Sequence, residues 1–239
     1  MNPIDANILS FFNQFAQKSE LADKMIFLVT FNVLIQGGVT MAFLWWAWFR
    51  NTDAVAVKKE RELVLSGAVL SIAALFIARA LAILLPFRAR PRYAPWLHFR
   101  IPAGSAGLEM IHWSSFPSDH AVLYFSLATS LLLISRRAGI FLYAYAFFIV
   151  CLPRVYLGVH YPTDIVAGAM LGIAIASLSL NHSLRQFIAR PLLRCHDASP
   201  GLFYSLSFLS TLLLSTEFES VRAIAVAGWS VMKKLGTVG

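Results

Sequence analysis

The chain has 239 residues, of which 58% are hydrophobic and only 13% charged. So few ionisable side chains cannot cover the surface of a soluble domain of this size, which excludes the water-soluble classes. A net charge of +8 sits in short loops between apolar runs, which fits membrane orientation and phosphate binding better than a nucleic-acid stripe.

Taken in chain order, the first 24 residues carry Asp5, Lys18, Glu20, Asp23 and Lys24 with no basic start followed by an apolar block, so no cleavable leader is expected. Ile4, Ile8, Leu9, Phe11, Phe12 and Phe15 fall near helical spacing. That spacing predicts a short helix, either lying on the membrane surface or packed on the bundle. About 20 apolar residues cross the hydrocarbon layer. Membrane spans are accordingly expected at about 25–49, 63–86, 119–135, 138–153, 161–180 and 201–216. In the first of them Lys24 and Arg50 bracket an uncharged run, with Trp45, Trp46 and Trp48 at one end as an interfacial belt. The fold class is therefore all-α, a polytopic bundle of six transmembrane helices forming a single domain over 1–239. Within it, 1–24 is an interfacial segment, 62–180 the core and 217–239 a tail carrying Lys233 and Lys234. Cys151 lies in an apolar run and Cys195 in a polar connection, which suggests neither a disulfide nor a zinc site.

Orientation follows from lysine and arginine. Arg50, Lys58, Lys59 and Arg61, the pair Arg136-Arg137, and Arg185, Arg190 and Arg194 fall in loops on one side, which the positive-inside rule makes cytoplasmic. The other side is basic too, through Arg88, Arg90, Arg92, Arg100 and Arg154. Arginines beside histidines on the non-cytoplasmic side read as an anion site.

Three segments on that side hold polar residues suited to phosphoryl transfer. Arg88-Ala-Arg90-Pro91-Arg92 offers planar forks that match phosphate oxygens two at a time, although lipid headgroups hold such clusters equally well. In Pro117-Ser118-Asp119-His120, Ser118 is placed as an N-cap, and the first amides of the following helix would point at the outer site. For Ser118 alone, a plain helix cap is the simpler reading. The third segment runs from Arg154 to His160 and Asp164; a carboxylate four residues from an imidazole is expected to fix its tautomer and raise its basicity.

These residues resemble the type 2 phosphatidic acid phosphatase (PAP2) family, marked by the motifs KxxxxxxRP, PSGH and SRxxxxxHxxxD. Arg90-Pro91 matches the end of the first, Pro117-Ser118-Asp119-His120 the second, and Arg154, His160 and Asp164 the third, over roughly residues 62–180. Three departures stand out. The first-motif lysine falls at Ile83, for which Arg88 is the preferred substitute over Arg79, deeper in the span. Pro153 stands where the family has serine, and Asp119 where it has glycine. An acidic residue beside an anionic substrate needs an arginine to face or a histidine to hold. The PSDH form is similar to the undecaprenyl-diphosphate phosphatase branch.

The resemblance implies that Arg90, Arg154 and Arg88 clamp a terminal phosphate with Ser118 and, through the second motif, Asp119 beside it. His160, oriented by Asp164, would attack phosphorus to form a phosphohistidine, and His120 would protonate the leaving oxygen and then activate water. It implies no metal and no cofactor, since fixed arginines neutralise the charge. The expected partner is a lipid phosphate or diphosphate in the plasma (inner) membrane, met on the extracytoplasmic side. Undecaprenyl diphosphate comes first, then phosphatidic acid, phosphatidylglycerophosphate or a lipid A phosphate. Two rivals belong to other classes: a lipid transporter, and an inactive scaffold of the same fold for which Ile83 speaks. His98 and His112, in the outer loop, are read as solvated, with an entrance role open to them.

Overall fold

A computed structural model describes residues 2–216, and the expected tail at 217–239 lies outside the described residues. Among the described residues the secondary structure is helical throughout. Helix α1 (Pro3–Asn13) starts at Asn2, whose side chain accepts from the Ile4 amide. It turns one face, with Asp5 and Leu9, into the bundle, and leaves Ile4, Phe11 and Phe15 exposed on the other. The buried face is the one expected of a helix packed on the bundle.

Helices α2 (Glu20–Phe31) and α3 (Val39–Phe49) are joined through a π-helical turn at Leu34–Gly38 and form one path bent by 58°. Asn32 makes the break: it ends α2 in extended backbone, and its side chain accepts from the Ile35 amide. The bend brings Gly37 against Ser215, where an added Cβ would lie 2.4 Å from the serine Cβ. Helix α4 (Ala54–Leu84) begins well before the expected span, so Lys58, Lys59 and Arg61 ride on its first turns rather than in a loop. The Asp53 carboxylate caps that start by accepting from the Ala56 amide.

Helix α5 (Asp119–Ile134) is the axis of the bundle, with Ala121, Val122, Leu123, Leu127, Ala128 and Leu131 fully buried. Around it lie α4, then α6 (Arg136–Tyr145) continuing through a π-helical turn into α7 (Leu152–Tyr156), and α8 (Pro162–Ser177). The contact of α5 with α8 is close because α8 carries glycine at two positions one turn apart. A Cβ on Gly168 would stand 2.5 Å from the Ser118 carbonyl oxygen, and one on Gly172 would stand 2.2 Å from that of Val122. Small residues spaced four apart let helix backbones approach in this way. The result places the start of α5 directly beside the start of α8, and both starts belong to the site.

Helix α9 (His182–Ala198) replaces the loop expected at 181–200 and packs on α4, and α10 (Pro200–Ser215) follows it. Three helical paths, Ala54–Leu84, Arg136–Tyr156 and Pro162–Leu180, are long and apolar enough to cross a membrane, and the bent pair Glu20–Phe31 with Leu34–Phe49 gives a fourth. The shorter apolar helices Asp119–Ile134 and Pro200–Ser215 fall on the remaining two of the six expected spans.

Candidate active site

The long connection 85–118 lies over the end of the bundle where α4, α5, α7 and α8 meet, and buried polar groups hold it there. Arg92 donates to the carbonyl oxygens of Ser105 (2.6 Å) and Leu157 (3.5 Å), so this arginine fastens the loop. Asp23, fully buried at the start of α2, accepts from the Ala103 amide at 2.7 Å, the Gln17 amide at 3.0 Å and the Tyr156 hydroxyl.

His160 sits in the turn between α7 and α8, and is 2% exposed. Its Nδ1 is 2.8 Å from the carbonyl oxygen of Ser115. A carbonyl only accepts, so Nδ1 carries the proton and Nε2 keeps a lone pair. Burial pushes this imidazole below its ordinary pKa and Arg90 adds to that, while Asp164 and Asp119 pull the other way. The His160 imidazole is thus neutral at neutral pH, with Nε2 unprotonated.

Asp164 acts differently from the expectation. His160 and Asp164 do not share a helical face, because His160 precedes α8 and Asp164 lies in its first turn. The carboxylate stands 3.8 Å from Nδ1, beyond hydrogen-bond reach. Instead Asp164 accepts from the Tyr161 amide at 2.8 Å, from the Ser115 hydroxyl and from Arg88. It therefore fixes Ser115, and the Ser115 carbonyl fixes His160. Ser115 is absent from the motifs, and its only signal in the sequence is its place two residues before Pro117.

His120 opens α5. The Asp119 side chain accepts from the His120 amide at 3.0 Å and lies 3.1 Å from His120 Nδ1. The aspartate that stands where the family has glycine thus holds a histidine, one of the two roles expected for an acid at this position. Ser118 is the N-cap its position predicts. Its buried hydroxyl accepts from the Ala121 amide, and its own amide donates to the Asp164 carbonyl, which makes it a cap and a link between α5 and α8. The amides of His120 and Ala121 are taken by Asp119 and Ser118, so the helix start offers an anion fewer donors than expected.

One donor atom from each of Asp119, His120 and His160 lies within 4.8 Å of the others. The second and third motifs, 40 residues apart, therefore converge on one small volume. The same three donors form a set that suits a metal ion.

Arg90 donates to the carbonyl oxygens of Val159 (3.0 Å) and Trp113 (3.3 Å). Arg154 donates to the Val150 carbonyl at 2.6 Å and to the Gln36 amide oxygen at 2.7 Å. Both, with Asp119, His120 and His160, line a cavity of about 560 Å³. Its other walls carry Phe31, Val33, Ile83, Phe87, Met110 and Trp113. Arg79 also lines it, as does His112, whereas Arg88 does not. The preferred substitute for the missing lysine is thus corrected: Arg88 turns away to Asp5 and Asp164, and Arg79 reaches the cavity beside Ile83.

A helical bundle with two facing imidazoles and cavity-lining arginines defines a phosphoryl-transfer class of membrane protein. The chain belongs to the PAP2 superfamily, whose model matches residues 63–187. It is 43% identical over 63 residues to the bacitracin transport permease protein BcrC of Bacillus licheniformis, covering 26% of this chain and 30% of that one. It is 31% identical over 137 residues to decaprenylphosphoryl-5-phosphoribose phosphatase of Mycobacterium tuberculosis (56% and 68%), and 28% identical over 172 residues to undecaprenyl-diphosphatase BcrC of Bacillus subtilis (71% and 80%). The similarity to the first of these thus spans under a third of the relative's length. No solved structure matches the chain significantly.

Proposed function

We propose that this protein is a membrane phosphatase that removes the terminal phosphate from an isoprenoid diphosphate, with undecaprenyl diphosphate as first choice. The observation that carries the proposal is the meeting of His120 and His160 donors within 4.8 Å in a cavity also lined by Arg90 and Arg154. An apolar wall running out through Phe31, Val33, Ile83 and Phe87 suits an amphiphile whose chain stays in the membrane.

His160 Nε2 attacks phosphorus in line with the leaving oxygen, and a phosphohistidine forms as the phosphorus–oxygen bond breaks. His120, held by Asp119, gives its proton to the leaving oxygen, then takes one from water as that water attacks phosphorus. The bond to His160 Nε2 breaks in that second step, which frees inorganic phosphate and restores the imidazole. Arg90, Arg154 and Arg79 neutralise the equatorial oxygens. This scheme uses the side chains alone, on the extracytoplasmic face of the plasma membrane. Relatives named for an undecaprenyl diphosphate and a decaprenyl-linked phosphate support a polyprenyl substrate.

A second reading, lipid transport without bond cleavage, draws on the relative named as a transport permease. Such a carrier has use for the arginines but none for two facing imidazoles. Purified protein with EDTA is expected to release phosphate from undecaprenyl diphosphate, and in smaller yield from phosphatidic acid or phosphatidylglycerophosphate. Release that requires an added divalent ion would overturn the side-chain scheme. Lipid flux into vesicles with no phosphate freed would favour the carrier.

A further inference from the structure

Asp5 is fully buried, although it lies in the first turn of a short N-terminal helix, 58 residues before the stretch that matches the family begins. A carboxylate at such a depth needs a full set of donors. Asp5 has them: the Thr163 amide at 2.9 Å, the Thr163 hydroxyl at 2.7 Å and Arg88 Nη2 at 2.7 Å. The Thr163 amide is one of the orphan donors at the start of α8, so Asp5 caps that helix from 158 residues away, where its charge also meets the helix dipole. The other arm of the Arg88 fork, Nη1, reaches Asp164 and, at 3.0 Å, the Thr163 hydroxyl. The Arg88 Cζ lies 4.0 Å from the centre of the Tyr161 ring.

The relay is continuous from α1 to the imidazole: Asp5 to Arg88, Arg88 to Asp164, Asp164 to the Ser115 hydroxyl, and the Ser115 carbonyl to His160. We propose that Asp5 is a positioning residue for the reaction, and that α1 acts as a latch that sets His160 through Arg88 and Asp164. This rests on the phosphatase reading given above. With Asp5 present, the arginine fork is shared between two carboxylates and fixed in plane. Without it, Arg88 has a free arm, Asp164 follows it, and Ser115 no longer holds one orientation of the imidazole. Outer partners of metal-bound histidines are worth about 10–100-fold, and a loss of that order is expected for an imidazole oriented in the same way.

The test is Asp5→Asn in the full chain in detergent or vesicles, assayed beside Arg88→Met and the double variant. The expected result is a kcat about tenfold lower with KM within about twofold, because headgroup binding through Arg90 and Arg154 is untouched. The double variant is expected to be no slower than the slower single one, since both break the same relay. Wild-type kcat per folded molecule in Asp5→Asn, or losses that multiply in the double variant, would overturn the proposal. Backbone amide exchange gives a readout that stands even if the wild type frees no phosphate. Residues 115–118 and 160–164 are expected to exchange faster in Asp5→Asn while α4 and the centre of α5 stay as in the wild type. Unchanged exchange in those two segments would overturn the latch, and an inactive wild type with altered exchange would overturn only the phosphatase reading.

Discussion

The two ends of the bundle both collect arginines and a histidine–aspartate pair, but the two pairs meet different surroundings. At the far end Arg50 faces Glu60 at 3.5 Å and lies over Trp46, Arg61 lies over Trp48, and Arg185 faces Glu62 at 3.5 Å. At the cavity end Arg90 is aimed by two carbonyl oxygens, and the acceptors that aim Arg154 include a carbonyl and an amide oxygen. Neutral acceptors fix the direction of a guanidinium without cancelling its charge. The histidines differ in the same way. His196 Nδ1 meets Asp197 at 2.8 Å, much as His120 meets Asp119 at 3.1 Å. His196 and Asp197 line a cavity of their own with Arg61, Arg190 and Arg194. But His196 packs edge-on against Trp48 and Phe203 and Asp197 is 77% exposed, whereas His120 shares its cavity with a second histidine, His160. An aspartate beside a histidine is thus not a site until a second base and aimed cations converge on it.

The largest effect that can break this comparison is at His160. His160→Ala is expected to lower phosphate release by at least about 10³-fold with the thermal midpoint held, whereas His196→Ala stays within about twofold. Arg90→Gln comes next, with kcat/KM down about 10²–10³-fold in a steady-state assay. Asp119→Asn, which keeps size but loses the charge that holds His120, is expected to lower kcat about 10-fold to 100-fold. Gly172→Ala drives a methyl group to the Val122 carbonyl and is expected to cost about 1–3 kcal/mol in a denaturation series, with a matching fall in kcat as α5 shifts.

The pH profile gives the smallest and most specific test. Since burial lowers the His160 pKa, the imidazole remains neutral as pH falls through about 6.5, where an exposed histidine would take a proton. The acid limb of kcat/KM assigned to the nucleophile is then expected below that value. The sign for folding agrees: the unfolded chain takes its proton first, so this residue makes no difference to stability at higher pH and reduces it below about 6.5. A nucleophile limb above pH 7 would contradict the buried, neutral assignment.

Much of this was legible in the sequence, for identifiable reasons. Apolar runs and bounding charges set the six expected spans, and helices fall within a few residues of them, with two exceptions. Helix α4 starts nine residues early behind its Asp53 cap, and the first path is broken at Asn32 by a 58° bend. His120, His160, Arg90 and Arg154 were legible because spacing and order tie them to span ends. What escaped was whatever depends on partners far along the chain. Asp5 looks like an ordinary first-turn acid until α8 is seen above it, and Ser115 acts through a backbone carbonyl that no side-chain pattern signals. Arg79 and Arg88 were ranked the wrong way round by sequence, since the choice depends on which way each side chain leaves its backbone. Gly168 and Gly172 did carry a signal, a four-residue spacing of the smallest residue inside a span, and that spacing is what joins the two motifs.

The most direct measurement is trapping of the covalent intermediate. Protein mixed with a terminally labelled polyprenyl diphosphate and quenched in base within one turnover is expected to carry label that is stable in alkali and lost in acid. His120→Ala is expected to accumulate that label, and His160→Ala to carry none. Full turnover by His160→Ala, or a wild-type protein that frees phosphate with no label ever held, would contradict the account.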